Sequence, residues 1–170
     1  MKNVKFLLSA ALVFLASAAL AQDFSAPQYA KWGATPEERE QNILNSNFLK
    51  ESCDNRDYDA AAHYLKGLID KIPDAAESIY QRGAVVYKNK INRAKSVAEK
   101  NMFIDSLMLM YDMRAQYFGD NVKPGKTAFI LDQKAREFLR YKPNDRKGIR
   151  EAFRCLLYTS PSPRDLSTSR

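Results

Sequence analysis

The chain is poor in the residues that do chemistry. Its 170 residues include one histidine, His63, and two cysteines, Cys53 and Cys155. A His/Cys metal centre needs three or four such ligands, so none is expected. Cys53 and His63 fall near opposite ends of an expected helical hairpin, which argues against a Cys/His nucleophile pair. The six glycines are isolated, so no glycine-rich phosphate loop is present and no cofactor is expected. No stretch alternates apolar and polar residues with period two, so strands are not expected. The acidic pair Glu37-Glu38 opens a helix, where it compensates the helix dipole. Among enzyme chemistries, sequence spacing leaves open only a carboxylate dyad, and nothing points to one. No catalytic residue and no metal ligand is assigned.

Apolar runs are short as well. The longest, Phe6 to Leu20, falls below the ~20 residues that span a bilayer. It follows basic Lys2 and Lys5 and ends at Ala19 and Ala21 before Gln22, the layout of a cleavable secretory signal over residues 1–21. Gln22 stands where a lipid-anchored protein carries Cys. A soluble, periplasmic protein with no membrane span after signal cleavage is expected. At the other end, residues 155–170 (CLLYTSPSPRDLSTSR) shift abruptly to Ser, Thr and Pro. The string CLLYTSPSPRD resembles the translation of a transposon-based sequencing adapter. Residues 155–170 are therefore expected to be non-native, with the natural protein continuing past Arg154. With Cys155 set aside, Cys53 has no disulfide partner and is expected to pack as a small apolar residue.

The charge balance then softens. The chain holds 27 basic and 20 acidic residues. Removing Lys2, Lys5, Arg164, Arg170 and Asp165 leaves 23 against 19, an excess of four over residues 22–154. That is a solvated mixed surface, and no nucleic-acid partner is expected.

What is present is helical. Residues 22–35 form an extended or loosely ordered lead-in, whose Phe24, Tyr29 and Trp32 are placed to pack back on the first helix. Thr35-Pro36-x-Glu38 reads as a capping box, starting a helix that runs to about Cys53. Ile43, Leu44, Phe48 and Leu49 mark its apolar face. Asp54 to Asp57 is a polar turn. From Tyr58 to Ile72, the residues Tyr58, Ala61, Leu65 and Leu68 recur at helical spacing until Pro73 stops the helix. A third helix covers Ala75 to Ile91. A fourth, from about Asn92 to Phe118, is uninterrupted by turn signals and rich in methionine (Met102, Met108, Met110, Met113). A fifth starts near Lys126, with Ala128, Phe129, Leu131, Ala135, Phe138, Leu139 and Tyr141 on its apolar stripe, and stops at Pro143. A sixth opens near Gly148. Successive helix-turn-helix units of roughly 35 to 50 residues argue for an all-α solenoid of helical hairpins over residues 36–154.

The stretch Asp57-Tyr58-x-x-Ala61-x-x-x-Leu65-x-x-Leu68-x-x-x-x-Pro73 resembles the second half of a tetratricopeptide repeat. Gly83 matches that family's small helix-crossing position in a second unit. Phe48 and Leu49 depart from it, standing where the family prefers Leu-Gly, and polar Asn45 stands near its usual tryptophan. The resemblance implies an all-α helical-hairpin superhelix, with Tyr58, Ala61, Leu65, Leu68, Pro73 and Gly83 packing the repeats. It also implies a concave groove built mainly from the first helix of each hairpin, with Lys50, Tyr80 and Tyr87 facing it. A protein or peptide partner in the cell envelope is then expected, the chain acting as an adaptor. Two other classes remain: a carbohydrate- or small-ligand-binding accessory that uses Tyr29, Trp32, Tyr80 and Tyr87 as stacking platforms, and the N-terminal part of a larger envelope protein, such as an enzyme whose catalytic half lies beyond Arg154.

Overall fold

A computed structural model describes residues 22–159, with side chains through Arg154. The expected signal (1–21) and residues 160–170 of the expected tail lie outside the described residues. The described chain is all helical. A 3-10 turn, Pro27–Trp32, leads into six α-helices: α1 (Pro36–Asp54), α2 (Tyr58–Lys71), α3 (Glu77–Arg93), α4 (Val97–Phe118), α5 (Lys126–Tyr141) and α6 (Arg146–Thr159). Helix α6 continues across 155–159, into the stretch set apart by composition.

The lead-in is more ordered than expected. Arg39 donates from Nε to the Gly33 carbonyl at 2.9 Å and from Nη1 to that of Phe24 at 3.1 Å. Buried Asn42 donates to the Trp32 carbonyl at 2.7 Å. Polar side chains of α1 thus satisfy the carbonyls of an otherwise aperiodic segment, and Trp32 packs on the core. The α1 start is a full capping box: the Thr35 hydroxyl accepts from Glu38 N–H at 3.2 Å, and the Glu38 carboxylate accepts from Thr35 N–H at 3.4 Å.

The α1–α2 turn is a Schellman closure. Asp57 N–H donates to the Ser52 carbonyl at 2.9 Å and Arg56 N–H to that of Cys53 at 3.1 Å, with Arg56 left-handed at φ 60°. The Asp57 carboxylate then caps α2 through Ala60 N–H at 3.1 Å. The chain breaks again at Ala94–Ser96, which corrects the reading of an uninterrupted helix from Asn92. Ser96 Oγ accepts from Glu99 N–H at 3.1 Å, and the Glu99 carboxylate accepts from Lys95 N–H at 2.7 Å.

Each helix packs on the next in sequence, and α1 also reaches α3. Tyr58, Ala61, Leu65 and Leu68 are all buried in one core with Leu49, Ile79 and Val86. Burying each Leu side chain contributes about 1.5–3 kcal/mol. Gly83 lies where α2 and α4 both close on α3. A Cβ there would stand 2.7 Å from Met110 Sδ and 3.1 Å from the Leu65 methyls. Pro73 ends α2, and its carbonyl accepts a 2.6 Å hydrogen bond from the Tyr80 hydroxyl. A second cluster gathers Ile91, Ile104, Leu107, Tyr111 and Ile130 between α3, α4 and α5.

Candidate functional site

The cleft between α3 and α5, floored by α4, has a cavity of about 570 Å³. Two ion pairs align its walls. Lys126 donates to Glu77 at 2.6 Å and Lys88 to Glu137 at 2.5 Å. Both pairs span 49 residues, so α3 and α5 run parallel at a constant offset. Along α3 the wall presents Gln81, Val85 and Lys88; along α5 it presents Phe129, Gln133, Arg136 and Arg140. These recur at three- and four-residue spacings, as one helix face requires.

The floor is charged but internally paired. Buried Arg114 donates to Glu77 and to Gln133 Oε1, both at 2.9 Å. Burial alone would raise the Glu77 carboxyl, but hydrogen bonds from Lys126 and Arg114 outweigh it and hold it below its ordinary 4.5. Burial works to lower the Lys88 pKa, but the hydrogen bond and charge of Glu137 together with the Tyr111 phenol outweigh it and raise the pKa. Burial pushes the Tyr111 phenol up, so the floor keeps a neutral hydroxyl. Glu137 Oε2 is buried without a hydrogen-bond partner, and Arg140 Nη1 stands 3.6 Å from it. The cations lining the cleft, Lys88, Arg114, Arg136 and Arg140, pair with three carboxylates, Glu77, Asp132 and Glu137, and Lys126 beside it shares Glu77, so the linked pairs hold five cations against three carboxylates.

The three residues expected at the groove are not brought together there. Tyr80 is 1 % exposed, and its hydroxyl is spent on Pro73. Its ring packs against Tyr117 and Phe118, and burial pushes its phenol up. It is core with at most an edge toward the cleft, a correction to the groove assignment. Tyr87 is half-buried and lines the other side of α3. There α2 and α4 flank an apolar hollow of about 410 Å³ that includes Met102, Phe103, Leu109 and Met113. Tyr87 precedes Lys88 by one residue, about 100° around the helix, which turns it away from the cleft. Lys50 is exposed on α1, pairs with Asp54 at 2.7 Å, and is not among the residues of the cleft. The four aromatics considered for sugar stacking form no shared platform. Tyr29 packs on Phe24 and Trp32 on the core, while Tyr80 and Tyr87 are placed as above.

The methionine-rich helix is split by burial: Met108 and Met110 are core, whereas Met102 is 55 % exposed. Cys53 is half-buried, and burial raises its thiol, in keeping with a packing role. Among the described residues, no three of His, Cys, Asp and Glu gather as metal ligands. Lys88, Arg114, Arg136, Glu137 and Arg140 were not singled out from sequence. Their juxtaposition is tertiary, and the one trace of it in sequence is the repeated 49-residue offset between opposite charges.

No family model, no curated protein and no solved structure matches the chain.

Proposed function

We propose that this protein is an exported helical-hairpin repeat scaffold that docks an extended stretch of a partner protein in the α3/α5 cleft. One observation carries the reading: the cleft opens between the first helices of two successive hairpins, with walls of mixed amide, apolar and charged side chains. A chain segment lying along two parallel helices meets amides able to pair with its backbone and side chains that select its sequence. The repeat-like packing around Ala61, Leu65 and Gly83 supports the hairpin-repeat architecture, and the layout of residues 1–21 supports export to the periplasm. The dispersal of the aromatic residues disfavours a sugar-stacking role. The scaffold reading assigns no catalytic residue.

A photo-crosslinking amino acid at Val85, on the cleft wall, tests this against the same probe at Lys66, exposed on α2. The expected result is a discrete protein adduct from envelope fractions at position 85 and none at 66. Identical adduct patterns at the two positions would overturn the cleft as the docking site.

A further inference from the structure

We propose that the occupant of this cleft is an acidic peptide segment, with its carboxylates set against Arg136 and Arg140. The inference rests on the cleft being a protein-docking groove and adds the chemistry of the occupant. The cations of the cleft divide into two kinds. Arg114 and Lys126 are engaged by Glu77, and Lys88 by Glu137. Arg136 and Arg140 are different: their side chains are 74 % and 67 % exposed, and they stand four residues apart on one face of α5.

Their donors are largely uncommitted among the described residues. Arg136 spends Nε on Asp132 at 2.7 Å, leaving its two Nη groups as a fork. The 3.6 Å separation of Arg140 Nη1 from Glu137 Oε2 exceeds a hydrogen bond, so charge alone holds it there. A guanidinium fork matches a carboxylate in shape and pairs with it through two parallel N–H···O bonds. Glu137 positions this arrangement: one oxygen anchors Lys88, and the other draws Arg140 over the cleft.

The rest of the cleft suits a polypeptide. Gln133 gives its oxygen to Arg114, which leaves its amide N–H groups to donate to a peptide carbonyl. Phe129 and Val85 are 57 % and 44 % exposed and offer apolar contact along the walls. The cavity lies between two parallel helices, which suits a chain segment lying along them. With five cations against three carboxylates, a segment carrying Asp or Glu restores the balance.

The experiment is selection from a peptide display library of random sequence, followed by affinity measurement with wild type, R136Q/R140Q and a K66Q control. Circular dichroism confirms that each variant keeps the wild-type helicity. The expected result is selected peptides rich in Asp and Glu. Their binding weakens with added salt, falls roughly three- to thirtyfold in R136Q/R140Q and is unchanged in K66Q. Neutral or basic selected peptides, or acidic ones bound equally by R136Q/R140Q, would overturn the acidic-segment inference and leave the docking groove standing. No peptide enriched above a blank surface would overturn both. Binding to phosphatidylglycerol vesicles that R136Q/R140Q abolishes, with no acidic peptide selected, would assign the arginines to an anionic surface and overturn the inference.

Discussion

Arg56 adopts φ 60° at the end of α1, a conformation in which an L side chain crowds its own backbone. Its place in the Schellman closure is the one that glycine fills most easily. The substitution Arg56→Gly is expected to stabilise the protein by about 0.5–1 kcal/mol, measured by urea unfolding. Single residues also show how far sequence reading goes. Leu65 and Leu68 could be placed in the core because helical spacing and a proline stop fix which face is apolar. Tyr80 could not: a tyrosine serves equally as core or as contact surface. What decided it was a hydroxyl partner seven residues upstream, the Pro73 carbonyl.

At the level of helices, starts with a capping box were readable and rotations were not. Thr35-x-x-Glu38 stands out behind a turn, whereas Ser96-x-x-Glu99 has the same spacing, with Glu99 reaching back to Lys95 N–H instead, and lies hidden inside a continuous apolar pattern. Helical spacing puts Phe129 on the apolar stripe of α5, but fully buried Ile130 takes the core position and Phe129 turns to the cleft. A one-residue rotation, about 100°, is invisible where both neighbours are apolar. Glu77 joins three helices by accepting from Arg114 of α4 and Lys126 of α5. Because its folded carboxyl lies below the ordinary 4.5, its stabilisation is whole above that pH and is lost as pH falls through the folded value. Melting temperature is therefore expected to drop more steeply between about pH 5 and pH 3 in wild type than in Glu77→Gln. That variant should be less stable at neutral pH by about 1–3 kcal/mol, since the carboxylate's charge-assisted bonds are weakened.

Across the whole molecule, contacts run mainly between sequence neighbours, so local stability should vary along the chain. Helices α3 and α4 share both core clusters, while α6 packs only on α5 among the described residues. Native-state hydrogen exchange is expected to show the slowest amides in α3 and α4 and the fastest helical amides in α6. Uniform protection would contradict this gradient. The all-helical class was legible because hydrophobic periodicity is local, whereas the cleft joins side chains about fifty residues apart. The two charge pairs across that cleft have opposite sense, acid-to-base at Glu77–Lys126 and base-to-acid at Lys88–Glu137. Reversing α5 against α3 would oppose Glu77 to Glu137 and Lys88 to Lys126, like against like. Sliding α5 by one turn, about 5.4 Å, would break both matches together. The pairs thus act as a two-letter password for assembly, accepted in one direction and one alignment only.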